Sequence, residues 1–273
     1  MASAAGQPRA TEAEEVLYEL SDRIATITLN RPAQQNTISG PMLAALSRYL
    51  LQADADPDAR VIVITATGRF FCAGLDLRGS DITSGLSNPS TASPTLDLRN
   101  TPPTVLHNLD TPTVCALNGS AAGYGMDLAL GCDIRLMADH AKLAAAFTAR
   151  GVVPESGGTW ILPRLLGWSK AAEIIFTGRT LPAAECEALG LVSRVVPAAE
   201  IGAAARALAA EIAANAPLAV QASKRMMRMG MNETFNDHVH HVYLQLLPLF
   251  RSEDFREGMQ AFLEKRKAEF QGR

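Results

Sequence analysis

A chain of 273 residues, 48% hydrophobic and 19% charged, carries enough apolar material for a large core, in one domain or two. Its formal net charge of −3 speaks against nucleic acid, which rewards a basic face, but leaves room for an anionic small ligand met by local Arg or Lys. No apolar stretch is long enough to span a bilayer, and the opening MASAAGQPRATEAEE lacks the basic end and apolar block of a signal peptide. Cys72, Cys115, Cys132 and Cys186 form no CxxC pair, so they read as small core residues of a cytoplasmic protein rather than metal ligands.

Residues 1–12 are Ala-rich and polar and read as a loose tail. Over 16–29 apolar residues alternate (Val16, Tyr18; Ile24, Ile27, Leu29) around Ser21-Asp22, which predicts a hairpin that Asn30-Arg31-Pro32 stops. Ser39 is a candidate N-cap with Pro41 just inside, and Met42, Leu43, Leu46, Leu50 and Leu51 give a helical stripe to about residue 52. The unbroken apolar run 61–65 predicts a strand covered on both faces. The chain then bends through Gly68 and the small residues Cys72-Ala73-Gly74. Residues 81–95, rich in Ser, Thr, Pro, Gly and Asn, are long for a loop within a domain and read as a mobile segment or a lid. A partly helical link with Pro102 and Pro103 leads to a second buried strand at 113–117. Asn118-Gly119-Ser120 breaks it, Gly123 and Gly125 bracket Tyr124, and 126–132 reads as a helix buried on most sides. Short strands at 134–138 and 142–145 follow, then a loop at 147–158 and a helix from about residue 159. Beyond it 169–177, 182–189, 201–215, 217–229, 233–247 and 252–270 are helical by pattern, interrupted by a strand at 192–196. The expected architecture is an α/β core over residues 13–200 with a helical region over 201–273.

Twice, then, a buried strand runs into a turn of small residues. After the second turn a helix begins, and the first N–H groups of a helix have no partner within it, so they can hold an oxygen about to become negative. A thioester carbonyl gripped by two backbone N–H groups can pass into an enolate, each donor typically lowering the barrier by about 3 kcal/mol. A nearby Asp or Glu then removes a proton from the adjacent carbon. Glu155 is the leading candidate, lying between Pro154 and Ser156-Gly157-Gly158 at the entrance to an apolar helix. The helix start favours its ionised form, while Val152, Val153 and Trp160 disfavour it; helix capping is its structural alternative. Asp127 sits among Met126, Leu128 and Ala129, where a charge is costly unless hydrogen-bonded or in a cleft, and a core Asp tying a loop is its alternative. Asp76 reads as exposed or structural. His238 and His241 are spaced as helical metal ligands, but with no acidic partner nearby beyond Asp237 they read as a polar face or a subunit contact. Arg225 and Arg228 read as a solvated flank.

Several short patterns stand in a fixed order along the chain. They are Asn30-Arg31-Pro32 with Asn36, then Phe70-Phe71-Cys72-Ala73-Gly74-Leu75-Asp76-Leu77, then Asn118 through Ala129. Cys132-Asp133, Gly157-Gly158, Leu162-Pro163-Arg164, Thr177-Gly178 and Ala188 through Val192 follow, and Glu257-Gly258-Met259 with Phe262 through Arg266 close the series. Together they resemble the enoyl-CoA hydratase/isomerase, or crotonase, family over nearly the whole chain. The resemblance implies an α/β spiral of ββα units with a helical C-terminal trimerisation region, in a homotrimer or dimer of trimers. It implies an oxyanion hole from the N–H groups of Leu75 and Tyr124, with Glu155 and Asp127 as catalytic carboxylates. It also implies a coenzyme A groove along Ala33, Ala73, Asp76 and Leu77, with Phe262 and Lys265 reaching the nucleotide end in a neighbouring subunit. Coenzyme A enters as part of an acyl-CoA substrate, and no separate cofactor, metal, nucleic acid or membrane partner is implied.

Two departures from that family bear on the reaction. Typical hydratases carry glutamates at the positions of Asp127 and Phe147; here the first is shorter and the second is an apolar ring. Glu155 falls where a branch of Δ3-Δ2 enoyl-CoA isomerases, similar to the peroxisomal type, places its single catalytic Glu. Moving a double bond needs only one carboxylate. The expectation is therefore Δ3-Δ2 isomerisation through Glu155, ahead of hydration by Asp127 with Glu155. A non-catalytic acyl-CoA binder stays open, because Tyr124 replaces a more usual small residue and narrows the pocket.

Overall fold

The computed structural model describes residues 14–76 and 101–273. The expected tail, Leu77 and the polar stretch 81–95 lie outside the described residues.

The chain starts as a hairpin, β1 (Val16–Ser21) against β2 (Ile24–Leu29), in register from Val16↔Leu29 to Ser21↔Ile24. Its turn residues Asp22 and Arg23 have φ of 51° and 64°, the left-handed pair whose twist matches the strands. Ser39 caps α1 (Gly40–Ala55), its Oγ accepting the Met42 N–H at 3.1 Å, and Met42, Leu46 and Leu50 are buried. Next come β3 (Val61–Ala66), β4 (Phe70–Cys72) and α2 (Pro102–Asn108). A second unit follows, β5 (Thr113–Leu117), β6 (Ser120–Ala122) and α3 (Tyr124–Leu130). A third holds β7 (Ile134–Ala138), β8 (Lys142–Ala144), α4 (Gly158–Leu166) and α5 (Trp168–Thr177). Then β9 (Thr180–Pro182), α6 (Ala183–Ala188) and β10 (Arg194–Val196) lead into α7 (Ile201–Ala213), α8 (Pro217–Gly230), α9 (Phe235–Leu249) and α10 (Glu253–Glu264).

One sheet has the order β1-β2-β3-β5-β7-β10, parallel after the hairpin, and the other the order β4-β6-β8-β9. β3 shows why its sequence is apolar without a break. Ile62 and Ile64 join the cluster on one face of the sheet, whereas Val61 and Val63 meet Ile201, Ala205 and Ala209 of α7 on the other.

Several expectations need correction. The strands β4, β6 and β9 have three residues each, too short to show a period-two pattern, and sit where the sequence reads as turn or helix start. The helix expected over 252–270 ends at Glu264, where Lys265 turns left-handed with φ of 55°. The tail then folds back: Asp254 accepts from the Gln271 and Gly272 N–H groups at 2.6 and 2.9 Å, and Arg60 donates to the carbonyls of Ala213 and Phe270. Arg225 and Arg228 are not a solvated flank, since Arg225 Nε and Arg228 Nη2 donate to Asp110 at 3.0 and 3.1 Å. Burial pushes the Asp110 carboxyl up, but the two guanidinium groups outweigh it and hold it below its usual range. His238 and His241 both turn Nδ1 toward Glu233, at 3.2 and 2.9 Å. The four cysteines are buried and free. Among the described residues no helix is long and apolar enough to cross a membrane.

Candidate active site

Tight turns join β3 to β4, β5 to β6 and β7 to β8, so each pair steps one place along both sheets. That stepping lays the two small-residue turns side by side. β4 and β6 pair in parallel, Phe70↔Ser120 and Cys72↔Ala121, and the first turn of α3 rests on Cys72. Gly125 permits this approach. A Cβ there would stand 2.3 Å from the Cys72 carbonyl oxygen and 2.6 Å from the Cys72 Cβ, so any side chain would push the helix off the strand.

Each turn presents a backbone donor. Ile38 N–H donates to Gly74 O at 2.8 Å and Asp76 N–H to Ile38 O at 2.9 Å, a parallel bridge across Leu75. Successive N–H groups of an extended segment point to opposite sides, so that of Leu75 faces away from Ile38. Tyr124 opens α3, ahead of the first bond inside the helix, from Asp127 N–H to Gly123 O at 3.1 Å. Neither the Leu75 nor the Tyr124 N–H has an acceptor among the described residues. Both residues line a cavity of about 680 Å³, together with Ala33, Ala73, Asp76, Phe147 and Glu155.

The predicted carboxylates part company here. Glu155 is exposed within the open cavity, between the buried Pro154 and Ser156, and has no cationic partner among the described residues. Asp76, also on the wall, is tied to Arg31 at 3.1 Å. Asp127 is 2% exposed and lies off the cavity wall. Its Oδ2 accepts the Gly158 N–H at 3.2 Å at the start of α4, while its Oδ1 has no partner among the described residues. Burial pushes this carboxyl up to about 7; the Gly158 N–H pulls it back and the nearby Glu155 charge adds to the rise. Asp127 thus ties the loop carrying Glu155 to α3. Gly158 makes that contact possible, for a Cβ there would lie 2.4 Å from Asp127 Oδ1. The Tyr124 hydroxyl is buried nearby without a partner among the described residues, and burial first, then Cys72, Glu155 and Asp127, raise its pKa.

Lys265, at the end of α10, does not line the cavity, and Leu77 lies outside the described residues. Sequence reading passed over Gln34, Gln35 and Arg150 and took Val152 only as an apolar neighbour of Glu155, yet all four face the cavity. The one available signal for Arg150 and Val152 was their place in the Glu155 loop. Gln35 and Asn36 take left-handed φ of 55° and 53°, and Asn36 is fully buried, its Nδ2 donating to Thr67 O and Phe70 O at 2.8 Å each.

Stepped paired sheets of this kind make the chain a crotonase-type α/β fold. The structure matches that of an enoyl-CoA hydratase from Bacillus anthracis with a TM-score of 0.86 at 31% identity, over 95% of this chain and all of that one. The family model described as enoyl-CoA hydratase/isomerase matches residues 19–273. Among similar proteins, YngF of Bacillus subtilis (strain 168) is 36% identical over 270 residues, 95% of this chain and 99% of that one. The 1,2-epoxyphenylacetyl-CoA isomerase of Escherichia coli (strain K12) is 34% identical over 267 residues, with coverage of 95% and 99%. The protein belongs to the enoyl-CoA hydratase/isomerase (crotonase) family and is an enzyme acting on acyl-CoA. That sets aside the non-catalytic reading. Relatives carry both hydratase and isomerase names, so the reaction turns on this chain's own residues.

Proposed function

We propose that the enzyme moves the double bond of a 3-enoyl-CoA into conjugation, giving the 2-enoyl-CoA. The thioester oxygen accepts the N–H groups of Leu75 and Tyr124. Glu155 takes a proton from C2; the C–H electron pair passes into a dienolate whose negative charge those donors hold. The same carboxyl returns the proton at C4, and the carbonyl re-forms. Nothing is consumed.

The observation that carries this reading is the cavity's acid content. Of its two carboxylates among the described residues, Asp76 pairs with Arg31, which also holds Glu15, and Glu155 alone has no ion-pair partner, while Phe147, where typical hydratases carry a glutamate, adds no acid. Hydration by Asp127 with Glu155 is the second reading, and the position of Asp127 behind the wall weighs against it. Ala33, Ala73 and Asp76, with Leu77 next along the chain, are proposed to hold coenzyme A. Lys265 would reach a neighbouring copy in a homotrimer or dimer of trimers.

The test follows the conjugated thioester by absorbance. Glu155→Gln is expected to slow conversion of a 3-enoyl-CoA by about 100- to 10,000-fold, the usual worth of a positioned base, while acyl-CoA affinity is kept. Full activity in that variant removes Glu155 from the mechanism. Rapid water addition to a 2-enoyl-CoA by the wild type, with no isomerisation, gives the reaction to the second reading.

A further inference from the structure

The charges around the cavity bear on the far end of the acyl group, and the inference rests on the isomerase reading for where the thioester sits. Three charged side chains line the cavity among the described residues: Asp76, Arg150 and Glu155. Asp76 is held by Arg31 and Glu155 is the proposed base, which leaves Arg150 as a cation without a role.

Arg150 is exposed, but the turn that carries it is fixed. Thr148–Arg150 form a single 3-10 turn closed by Gly151, with the Arg150 N–H donating to Phe147 O at 2.8 Å. Thr148 Oγ1 fastens the turn to Ile175 O at 2.8 Å. One guanidinium N–H is used on Ala146 O at 2.7 Å, and the rest of the fork has no acceptor among the described residues. A guanidinium is rigid and planar, with parallel donors that match a carboxylate bidentately.

Its place in the chain says which part of a substrate it meets. Arg150 belongs to the loop that carries Phe147, Val152 and Glu155, not to the segments around Ala33 and Ala73 assigned to coenzyme A. Phe147 and Val152 are apolar and suit a carbon chain between thioester and anion. Without Arg150, a second carboxylate on the acyl group would meet no cation among the described residues of this wall.

We propose that Arg150 selects acyl-CoA thioesters whose acyl group ends in a second carboxylate, the monothioesters of dicarboxylic acids, by pairing with that carboxylate. A neutral chain end leaves the guanidinium unanswered, and a site built around a polar partner discriminates against analogues that lack it.

Titration calorimetry of the full chain with adipoyl-CoA and hexanoyl-CoA, saturated esters that cannot isomerise, reads recognition apart from turnover. The wild type is expected to bind adipoyl-CoA about tenfold more tightly, Arg150→Met to bring the ratio close to one, and Arg150→Lys to restore part of it. A wild-type ratio near one, or a ratio that Arg150→Met leaves untouched, overturns the proposal. Equal weakening of both esters and of free coenzyme A in Arg150→Met also overturns it, by assigning the cation to the coenzyme's phosphates. These titrations need no catalysis, so failure of the isomerase assay and failure of this proposal are told apart.

Discussion

At Asp127 one carboxyl oxygen receives the Gly158 N–H and the other is buried without a partner among the described residues. Its pKa stands at about 7 in the fold against an ordinary 3.8, so the native state binds this proton more tightly than the unfolded chain does. Stability from this group is therefore complete below about pH 4 and drains away as pH rises through about 7, by at most about 4 kcal/mol. Asparagine stays neutral and its carbonyl can still accept from Gly158. Thermal melts of Asp127→Asn are expected to lack the decline that this group gives the wild type between about pH 4 and pH 7; parallel curves for the two would show that Asp127 is ionised throughout. The sequence showed the dilemma of a charge among Met126, Leu128 and Ala129 but not its resolution, because the partner that decides it, Gly158, comes from the start of another helix. Glu155 was legible because its own neighbours mark a helix entrance. Arg150 was not, because an arginine in a loop has no local signature of facing a cavity.

On the scale of elements, the site depends on α3 lying against β4, and that contact has no slack at Gly125. Gly125→Ala places a methyl group into backbone that cannot yield. Loss of about 2 kcal/mol in urea melts is expected, with kcat falling more than acyl-CoA affinity because the Tyr124 N–H moves from the place proposed for the thioester oxygen. An alanine variant with wild-type stability and rate would mean that α3 tolerates displacement. The longer elements could be read from sequence for physical reasons. β3 is apolar on both faces because α7 covers the second one, and α1 announces itself through the Ser39 cap and Pro41. The three-residue strands β4, β6 and β9 were invisible because their pairing is set by neighbours across the second sheet rather than by their own pattern.

The whole chain closes on itself at its far end while keeping an oily face. The folded-back tail binds Arg60 and Asp254, whereas Tyr243, Leu247, Phe262 and Leu263 remain 62%, 54%, 78% and 75% exposed. So much apolar surface on neighbouring helices suits contact with further copies, as the proposed trimer requires. Sedimentation velocity is expected to give three or six times the chain's mass. The double variant Phe262→Asp with Leu263→Asp should sediment as a monomer with an unchanged circular dichroism spectrum. A wild-type protein that stays monomeric at micromolar concentration would refute the assembly. The C-terminal helices were clear in sequence, but the return of the tail was not, because Lys265 ends α10 in a left-handed turn that a helical pattern does not reveal.

The tight fit between Asp127 and Gly158 also limits which residue can stand where the Glu155 loop enters its helix. Any residue larger than glycine at 158 would set its Cβ 2.4 Å from Asp127 Oδ1, so the start of α4 accepts no side chain while the aspartate keeps its place. At Phe147 the side chain already borders the cavity, and an acid introduced there meets no such wall. A second acid meant to face Glu155 across the cavity would therefore enter at the aromatic ring, while the aspartate and its glycine can change only together.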